Sequence, residues 1–218
     1  MSSEIRLALP KGRISEEVVR LLGSTGIAVR SNGRSYRPQV SEPEIEAKYL
    51  KPQNIPRLLE IGAHDCGFTG HDWVVESGAD VVEVLDTTLD PVTLVAAAPE
   101  GTTAHLAALD RPYIVASRAA LADPARAGRI ETLATLLRSV LEARRRVLLE
   151  MNVAAERLAA VVAVLPAMKS PTIQELYGGK GYAVKAAVPR EGLAGVILRL
   201  RQAGATDLIA YTLEKVIP

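Results

Sequence analysis

Short apolar runs alternate with helix-like segments through the first half of the chain. Residues 5–9 alternate as a β-strand does and stop at the loop Pro10-Lys11-Gly12-Arg13, after which Ser15 begins a short amphipathic helix over 16–22. Further strands are predicted at 36–40, 45–50, 64–69, 81–85 and 92–98, and helices at 55–61 and 71–76. This alternation predicts an α/β domain with a partly parallel sheet.

A long helix separates this half from the remainder. Asp123 is its predicted N-cap and Pro124 its first residue, and leucines recur at helical spacing up to the run Arg144–Arg146. The rest predicts strand 147–153, helix 154–165, strand 172–177, strand 182–188, helix 191–202 and strand 208–213. This βαββαβ order is that of a ferredoxin-like module. We therefore expect one domain over residues 1–145 and a second over 146–218.

Composition excludes several classes of protein. The 218 residues are 48% hydrophobic and 23% charged, which is typical of a folded globular protein. The net charge of +1 provides no overall field for nucleic acid, and no apolar run reaches the roughly 20 residues of a membrane span. Cys66 is the single cysteine, so no intramolecular disulfide can form. We expect a cytoplasmic protein with no nucleic-acid or membrane partner.

Two loops between a strand and a helix are candidates for ligand binding. The loop from Pro10 to Ser15 contains two cations beside a helix N-terminus, where anions bind in α/β proteins, although a plain surface turn also explains it. The stretch from Asp65 to Asp72 is rich in glycine and has the same two interpretations. Residues 86–90 favour a turn held by Asp and Thr side chains. Histidine and cysteine spacing does not favour a zinc site.

Several ordered segments match those of one known family. They are residues 8–13, 49–55, 65–80, 117–152 and 165–173. They resemble ATP phosphoribosyltransferase of the long, hexameric type, which joins ATP to phosphoribosyl pyrophosphate in the first step of histidine biosynthesis. The resemblance implies a periplasmic-binding-protein-like α/β domain followed by a ferredoxin-like regulatory domain.

The resemblance also implies site residues. Lys11 and Arg13 are the expected catalytic residues. The expected substrate contacts are Gly12, Lys51, Asp65, Gly67, Gly70 and Asp72. ATP or a related nucleotide is the implied ligand, with Mg²⁺ as cofactor and no metal ligand assigned to the protein.

The sequence departs from the family between the strands at 92–98 and 113–116. The family inserts a second α/β domain there, with a Glu-Thr-Gly-Thr-Thr-type loop that holds the 5-phosphate of phosphoribosyl pyrophosphate, whereas here residues 99–112 take its place. Lys51 and Asn54 also replace the usual Arg and Asp, and Lys does not reproduce the bidentate fork of Arg. A non-catalytic regulator that senses histidine or a nucleotide is therefore the alternative function.

Histidine is the effector that the resemblance implies. Family members bind it in the second domain between subunits. The corresponding residues here are Met151, Asn152, Ser170, Pro171 and Thr172. We expect a homo-oligomer, either a dimer or a hexamer, because the open face of a ferredoxin-like sheet is often covered by a second copy.

Overall fold

The computed structural model describes most of the chain. The described residues are 4–31, 35–89, 92–94, 108–110 and 112–217. Their contacts divide the protein into two compact units, Met1–Arg138 and Ser139–Pro218. The division falls seven residues before the boundary expected at 145, inside the long helix.

The first unit contains a mixed five-stranded sheet. Its strands are β1 (Ile5–Pro10), β4 (Ile45–Leu50), β5 (Cys66–Gly70), β6 (Val81–Asp86) and β9 (Pro112–Ser117), with β2 (Val29–Arg30), β3 (Gln39–Val40), β7 (Val92–Leu94) and β8 (Ala108–Asp110) forming two separate pairs. Its helices are α1 (Ser15–Thr25), α2 (Ile55–Glu60), α3 (His71–Ser77), α4 (Arg118–Ala122) and α5 (Pro124–Arg144). The sheet order is β4-β1-β5-β9-β6. β1 is parallel to β4 and β5, and β9 is antiparallel to β5 and β6.

β1 is buried on both faces, as is usual for a strand inside a parallel sheet. Leu7 and Leu9 are fully buried on one face. Ala8 faces the other way and packs with Ile55 and Leu59 of α2. These contacts explain the almost continuous apolar composition of the strand.

The partly parallel α/β sheet predicted from the sequence is confirmed, as is the start of α5. Asp123 Oδ1 accepts a hydrogen bond from the Ala125 amide at 2.9 Å, which is the predicted N-cap contact. The short helix α4 was not predicted, since five residues are too few to show a helical repeat. The predicted strand at 92–98 is described only as far as Leu94. Among the described residues, none of the helices has both the length and the apolar composition that crossing a membrane requires.

The second unit contains a four-stranded antiparallel sheet. Its elements are β10 (Arg146–Val153), α6 (Leu158–Val164), β11 (Thr172–Glu175), β12 (Tyr182–Pro189), α7 (Leu193–Ala203) and β13 (Ala205–Thr212), and the sheet order is β11-β12-β10-β13. Alternate residues of β10 are buried. They pack with Val161 of α6 and Leu200 of α7 in one core cluster. Because every second residue of β10 is buried, the helices cover only one face of this sheet.

The absence of a side chain at Gly67 allows Ala8 of β1 and Ile55 of α2 to lie close to β5. A Cβ added at Gly67 would lie 2.7 Å from Ala8 Cβ and 3.0 Å from Ile55 Cγ2. We therefore predict that Gly67→Ala lowers the free energy of unfolding by about 1–3 kcal/mol through overpacking. Urea unfolding measures this. Gly23→Ala, in α1 with no atom within 4 Å of the added Cβ, is the matched control and should lose no stability. Equal midpoints for the two variants would contradict the prediction.

Candidate functional site

The sheet topology brings four strand ends to one edge. β1, β4 and β5 are parallel, and β6 runs in the same direction because β9 is antiparallel to both β5 and β6. The residues that follow these strands therefore lie along a common edge, here called the carboxyl edge. They are Lys11–Ile14, Lys51–Asn54, His71–Asp72 and Thr87–Leu89. In open α/β sheets this edge is where ligands bind.

A tight turn connects β1 to α1. The Lys11 amide donates to the Leu50 carbonyl at 2.7 Å, and the Ser15 amide donates to the Gly12 carbonyl at 3.1 Å. Gly12 has φ +89°, a left-handed conformation that favours glycine. The turn thus leaves Lys11 and Arg13 beside the N-terminus of α1, where the positive end of the helix dipole adds to their charge.

Tyrosine side chains border the same loop. The ammonium group of Lys11 lies 3.4 Å from the centroid of the Tyr36 ring, a cation–π contact. The Tyr49 amide donates to the Tyr36 carbonyl at 2.7 Å, which attaches this segment to β4. Burial raises the pKa of the Tyr49 hydroxyl, and a hydrogen bond with Ser15 partly opposes this shift. Lys11 is therefore positioned by an aromatic surface that also restricts its mobility.

One hydrogen bond joins the loop after β4 to the end of β5. The fully buried Thr69 hydroxyl donates to the Pro52 carbonyl at 3.0 Å, so it is unavailable to a ligand. Asp72 lies in the first turn of α3, where its Oδ1 accepts from the Trp73 amide at 2.7 Å. His71 Nδ1 lies 2.6 Å from Glu83 Oε1. Lys51 is exposed at the beginning of its loop.

Sequence reasoning treated the segment after β6 as a plain turn, and the structure adds it to the carboxyl edge. The Thr88 amide donates to Asp86 Oδ1 at 2.8 Å, and the Thr87 hydroxyl donates to the Pro112 carbonyl at 2.6 Å. Thr88 has φ +52°, which is uncommon for a β-branched residue. These hydrogen bonds agree with the turn predicted for residues 86–90, of which Asp90 lies outside the described residues. Its position beside the other loops depends on strand order, which the sequence does not reveal.

The structure brings most of the predicted site residues together. Those at the carboxyl edge are Lys11, Gly12, Arg13, Lys51, Gly70 and Asp72. Gly67 lies within β5 under Ala8 and Ile55, where its role is packing. Asp65 precedes β5 and therefore lies at the opposite, amino end of the sheet. The expectation that Asp65 and Gly67 share a substrate site with the six residues at the carboxyl edge is therefore corrected: neither lies at that edge.

Asp65 is instead held between two arginines. Its carboxylate accepts from Arg6 Nε at 3.1 Å, from Arg6 Nη2 at 2.9 Å and from Arg126 Nη1 at 3.0 Å. The Arg6 amide donates to it at 2.7 Å. Burial raises the pKa of the Asp65 carboxyl, but the hydrogen bonds and the charges of both arginines outweigh burial, so the pKa lies below its ordinary value. The carboxylate joins β1, β5 and α5.

The predicted effector residues of the second unit do not form one site within it. Met151 is buried in the core. Asn152 Nδ2, on β10, donates to Asp207 Oδ2 at 2.9 Å. Ser170, Pro171 and Thr172 lead into β11, and β12 separates β11 from β10. Two strand spacings place Thr172 about 10 Å from β10.

The described residues contain no group of three or more His, Cys, Asp or Glu side chains that could hold a metal ion. Asp72 lies at the carboxyl edge, Asp86 ends β6 just before it, and Glu16 and Glu17 lie in the first turn of α1. Mg²⁺ usually keeps several waters and takes one or two protein carboxylates together with substrate phosphates. Cys66 is an unsuitable ligand, because burial raises the pKa of its thiol to about 12. The edge therefore suits a magnesium ion that arrives on a substrate.

Comparison with known proteins gives the family. A profile described as "ATP phosphoribosyltransferase" matches residues 51–138, and one described as "HisG, C-terminal domain" matches residues 143–215. The ATP phosphoribosyltransferase of Desulforudis audaxviator is 31% identical over 99% of this chain and 100% of that protein. The chain belongs to the ATP phosphoribosyltransferase family. The protein of that name from Pelotomaculum thermopropionicum is 30% identical, again over its whole length.

The Desulforudis and Pelotomaculum proteins of this family are longer than the present chain. The alignment with the Desulforudis protein extends over 288 positions, and this chain has 218 residues, so about 70 positions of the relative have no counterpart. A chain from a solved "ATP phosphoribosyl transferase (HisG:HisZ) complex from Thermotoga maritima" has a TM-score of 0.50 with 15% identity, covering 62% of this chain and 98% of that one. This likeness shows a shared fold.

Replacing Asp65 tests the pairing at the amino end of the sheet. We predict that Asp65→Asn lowers the free energy of unfolding by about 1.5–3 kcal/mol, because two arginines, each about one third exposed, lose their charged hydrogen-bond partner. The folded-state pKa of Asp65 is depressed, so its stabilisation is present above the unfolded pKa of about 3.9 and is lost as pH falls through the folded-state value. The difference between wild type and variant should therefore shrink below about pH 4.

Urea titrations of both proteins from pH 3 to pH 7 measure this difference. Asp80→Asn is the matched control, since Asp80 pairs with Arg118 on the surface, where both side chains are more than half exposed. That variant should change stability by less than about 1 kcal/mol. A pH-independent difference for Asp65→Asn would show that the charge pairing does not contribute.

Proposed function

We propose that this chain takes part in the reaction of its family, the transfer of a phosphoribosyl group to ATP, and that the carboxyl edge binds the ATP. One observation supports this most strongly. Three cationic side chains, those of Lys11, Arg13 and Lys51, follow two parallel strands onto one edge beside a helix N-terminus. Such an arrangement is suited to a polyphosphate.

The side chains at this edge form two chemical groups, the cations and the carboxylate of Asp72. Lys11 and Arg13 would neutralise phosphate charge, and the exposed glycine between them lets a ligand approach the backbone. Lys51 adds a cation from the neighbouring strand end. Asp72 can accept hydrogen bonds from a ribose or base. These roles place the phosphates near α1 and the nucleoside toward α3.

The second substrate requires groups beyond those at the edge. Phosphoribosyl pyrophosphate is itself polyanionic, and in-line transfer depends on holding both substrates in fixed positions. About 70 positions of the longer Desulforudis relative have no counterpart here. We infer that a second polypeptide supplies the missing contacts. Magnesium would enter as part of the substrate, bound to its phosphates, where it offsets charge as the two anions approach.

The finer architecture is also inferred. The mixed sheet, with three adjacent parallel strands and α2 packed against it, supports the periplasmic-binding-protein-like assignment of the first unit. The βαββαβ order of the second unit and its sheet order support a ferredoxin-like fold. A domain boundary near residue 145 agrees with the start of the C-terminal profile match at residue 143.

The alternative of a non-catalytic regulator is not favoured, because the relatives are named as the enzyme.

Substitution of Lys11 tests the proposed site. We predict that Lys11→Ala weakens ATP binding about 10- to 100-fold, the effect of losing one charged hydrogen bond to phosphate. Calorimetric titration with ATP and Mg²⁺ measures binding. Formation of phosphoribosyl-ATP is then followed with phosphoribosyl pyrophosphate and a pyrophosphatase present. Lys180→Ala, in an exposed turn of the second unit, is the control and should bind ATP as the wild type does.

The outcomes separate binding from turnover. ATP binding and turnover by the pure chain, both weakened by Lys11→Ala, would support the site and show that no partner is required. ATP binding without turnover would support the site and the need for a second polypeptide. A folded chain that neither binds ATP nor forms product would overturn the proposal.

We also infer self-association through the second unit. The open face of its sheet carries Leu148, Ile209 and Tyr211, of which Ile209 is 50% and Tyr211 43% exposed. We predict that Ile209→Lys shifts the chain from an oligomer toward a monomer in sedimentation velocity at micromolar concentration, because a charge would be buried in the contact. Ile61→Lys, at an isoleucine of the first unit that is 72% exposed, is the control. A wild type that is already monomeric would contradict this inference.

A further inference from the structure

A cavity lies beside the amino half of β1, and its lining includes none of the residues of the carboxyl edge. It has a volume of about 340 Å³. Its lining consists of Arg6, Arg37, Glu46, Lys48, Leu58, Ala63 and His64. Arg6 pairs with Glu46 in the β1–β4 register, and Lys48 follows two residues later on the same face. Three of the lining side chains are therefore cationic, and one is anionic.

His64 is the unusual member of this lining. It is only 8% exposed, and its Nδ1 has no hydrogen-bond partner among the described residues. A buried polar atom without a partner costs about 1–3 kcal/mol, so such atoms generally meet a ligand or water. Burial lowers the pKa of His64, the charges of Lys48 and Arg6 lower it further, and the charges of Asp65 and Glu46 partly oppose this shift. The buried imidazole therefore offers a hydrogen-bonding nitrogen close to two cationic side chains.

The cations of the cavity are not all neutralised by the protein. Arg37 pairs with Glu46 at 2.8 Å. Arg6 uses Nε and Nη2 for Asp65 and the Gly62 carbonyl, which leaves the two N–H groups of Nη1 without a partner in the described part of the chain. Lys48 likewise has no ion pair or hydrogen bond within the described ranges. The cavity therefore combines free donors with an excess of positive charge.

We propose that this cavity binds a small phosphate-bearing anion, through Lys48, Arg6 and His64, at a site separate from the carboxyl edge. Free N–H donors and an uncompensated ammonium group are the contacts that a phosphate group needs. The volume of about 340 Å³ accommodates a phosphate with a small organic group. The proposed site is a neighbour of the carboxyl edge, because Lys48 precedes Lys51 by three residues of extended chain, about 10 Å. Helix α2 packs on the sheet next to the cavity.

Histidine ring signals can distinguish the two sites in one experiment. The chain has three histidines, of which His64 lies at the cavity and His71 at the carboxyl edge. The full chain, labelled with ¹⁵N-histidine, is titrated with inorganic phosphate and, separately, with ribose 5-phosphate. Long-range ¹H–¹⁵N spectra report each ring, and a His64→Gln variant assigns the His64 signals. We expect saturable shifts of the His64 signals with at least one of the two anions.

Two neighbouring lysines provide the matched variants. Lys48→Ala should weaken the response of His64 at least about 10-fold, and Lys48→Arg should retain it, because the arginine keeps the charge. Lys51→Ala should leave the response of His64 unchanged. Unaltered His71 signals in the anion-free Lys48→Ala protein verify that it is folded.

Two results would overturn the proposal. One is a titration with both anions in which the His64 signals do not move, whether or not those of His71 do. The other is an equal response of His64 in the wild type and in Lys48→Ala. Because His71 reports on the carboxyl edge independently, failure at the cavity would not count against ATP binding there.

Discussion

The parallel alignment of β1 with its two neighbours is the constraint on which the first unit depends. A central strand with parallel neighbours on both sides must send all three chain continuations to the same edge. β1 can occupy this position because its side chains are apolar on both faces and because Gly67 of β5 allows Ala8 and Ile55 to approach closely. The loops that carry cations are therefore brought together by backbone pairing rather than by contacts among themselves.

The amino end of the same strands is fixed by charge instead of packing. Asp65 is almost fully buried and satisfied by two arginines and a backbone amide, so removing its carboxylate would leave the charges of both arginines without this partner. This pairing also fixes where α5 lies against the sheet, because Arg126 belongs to that helix. Packing at one position and ion pairing at another thus define a single register for β1 and β5.

The sequence was informative where local pattern determines position. Lys11 follows an apolar strand, and Lys51 follows one in which charged and apolar residues alternate, so their place at a strand end could be predicted without coordinates. Asp65 shows the limit of the sequence. It precedes the strand that Asp72 follows, and the direction of that strand in the sheet places Asp65 in a buried ion pair and Asp72 at the carboxyl edge. Met151 shows a second limit. The alternation of residues in β10 tells which side chains share a face of the sheet but not which face the helices cover.

Strand order was not predictable either, and it decides the rest of the candidate site. The segment after β6 reaches the carboxyl edge only because β9 inserts between β5 and β6 and runs antiparallel to both. Neither strand carries a local signal for this arrangement. The cavity beside β1 depends on similar information, because Arg6 and Lys48 are 42 residues apart and become neighbours through the β1–β4 register. The cations at the two ends of β1 therefore have different surroundings: those at the carboxyl end lie along an edge of the sheet, and at the amino end Arg6 lies between Asp65 and the cavity.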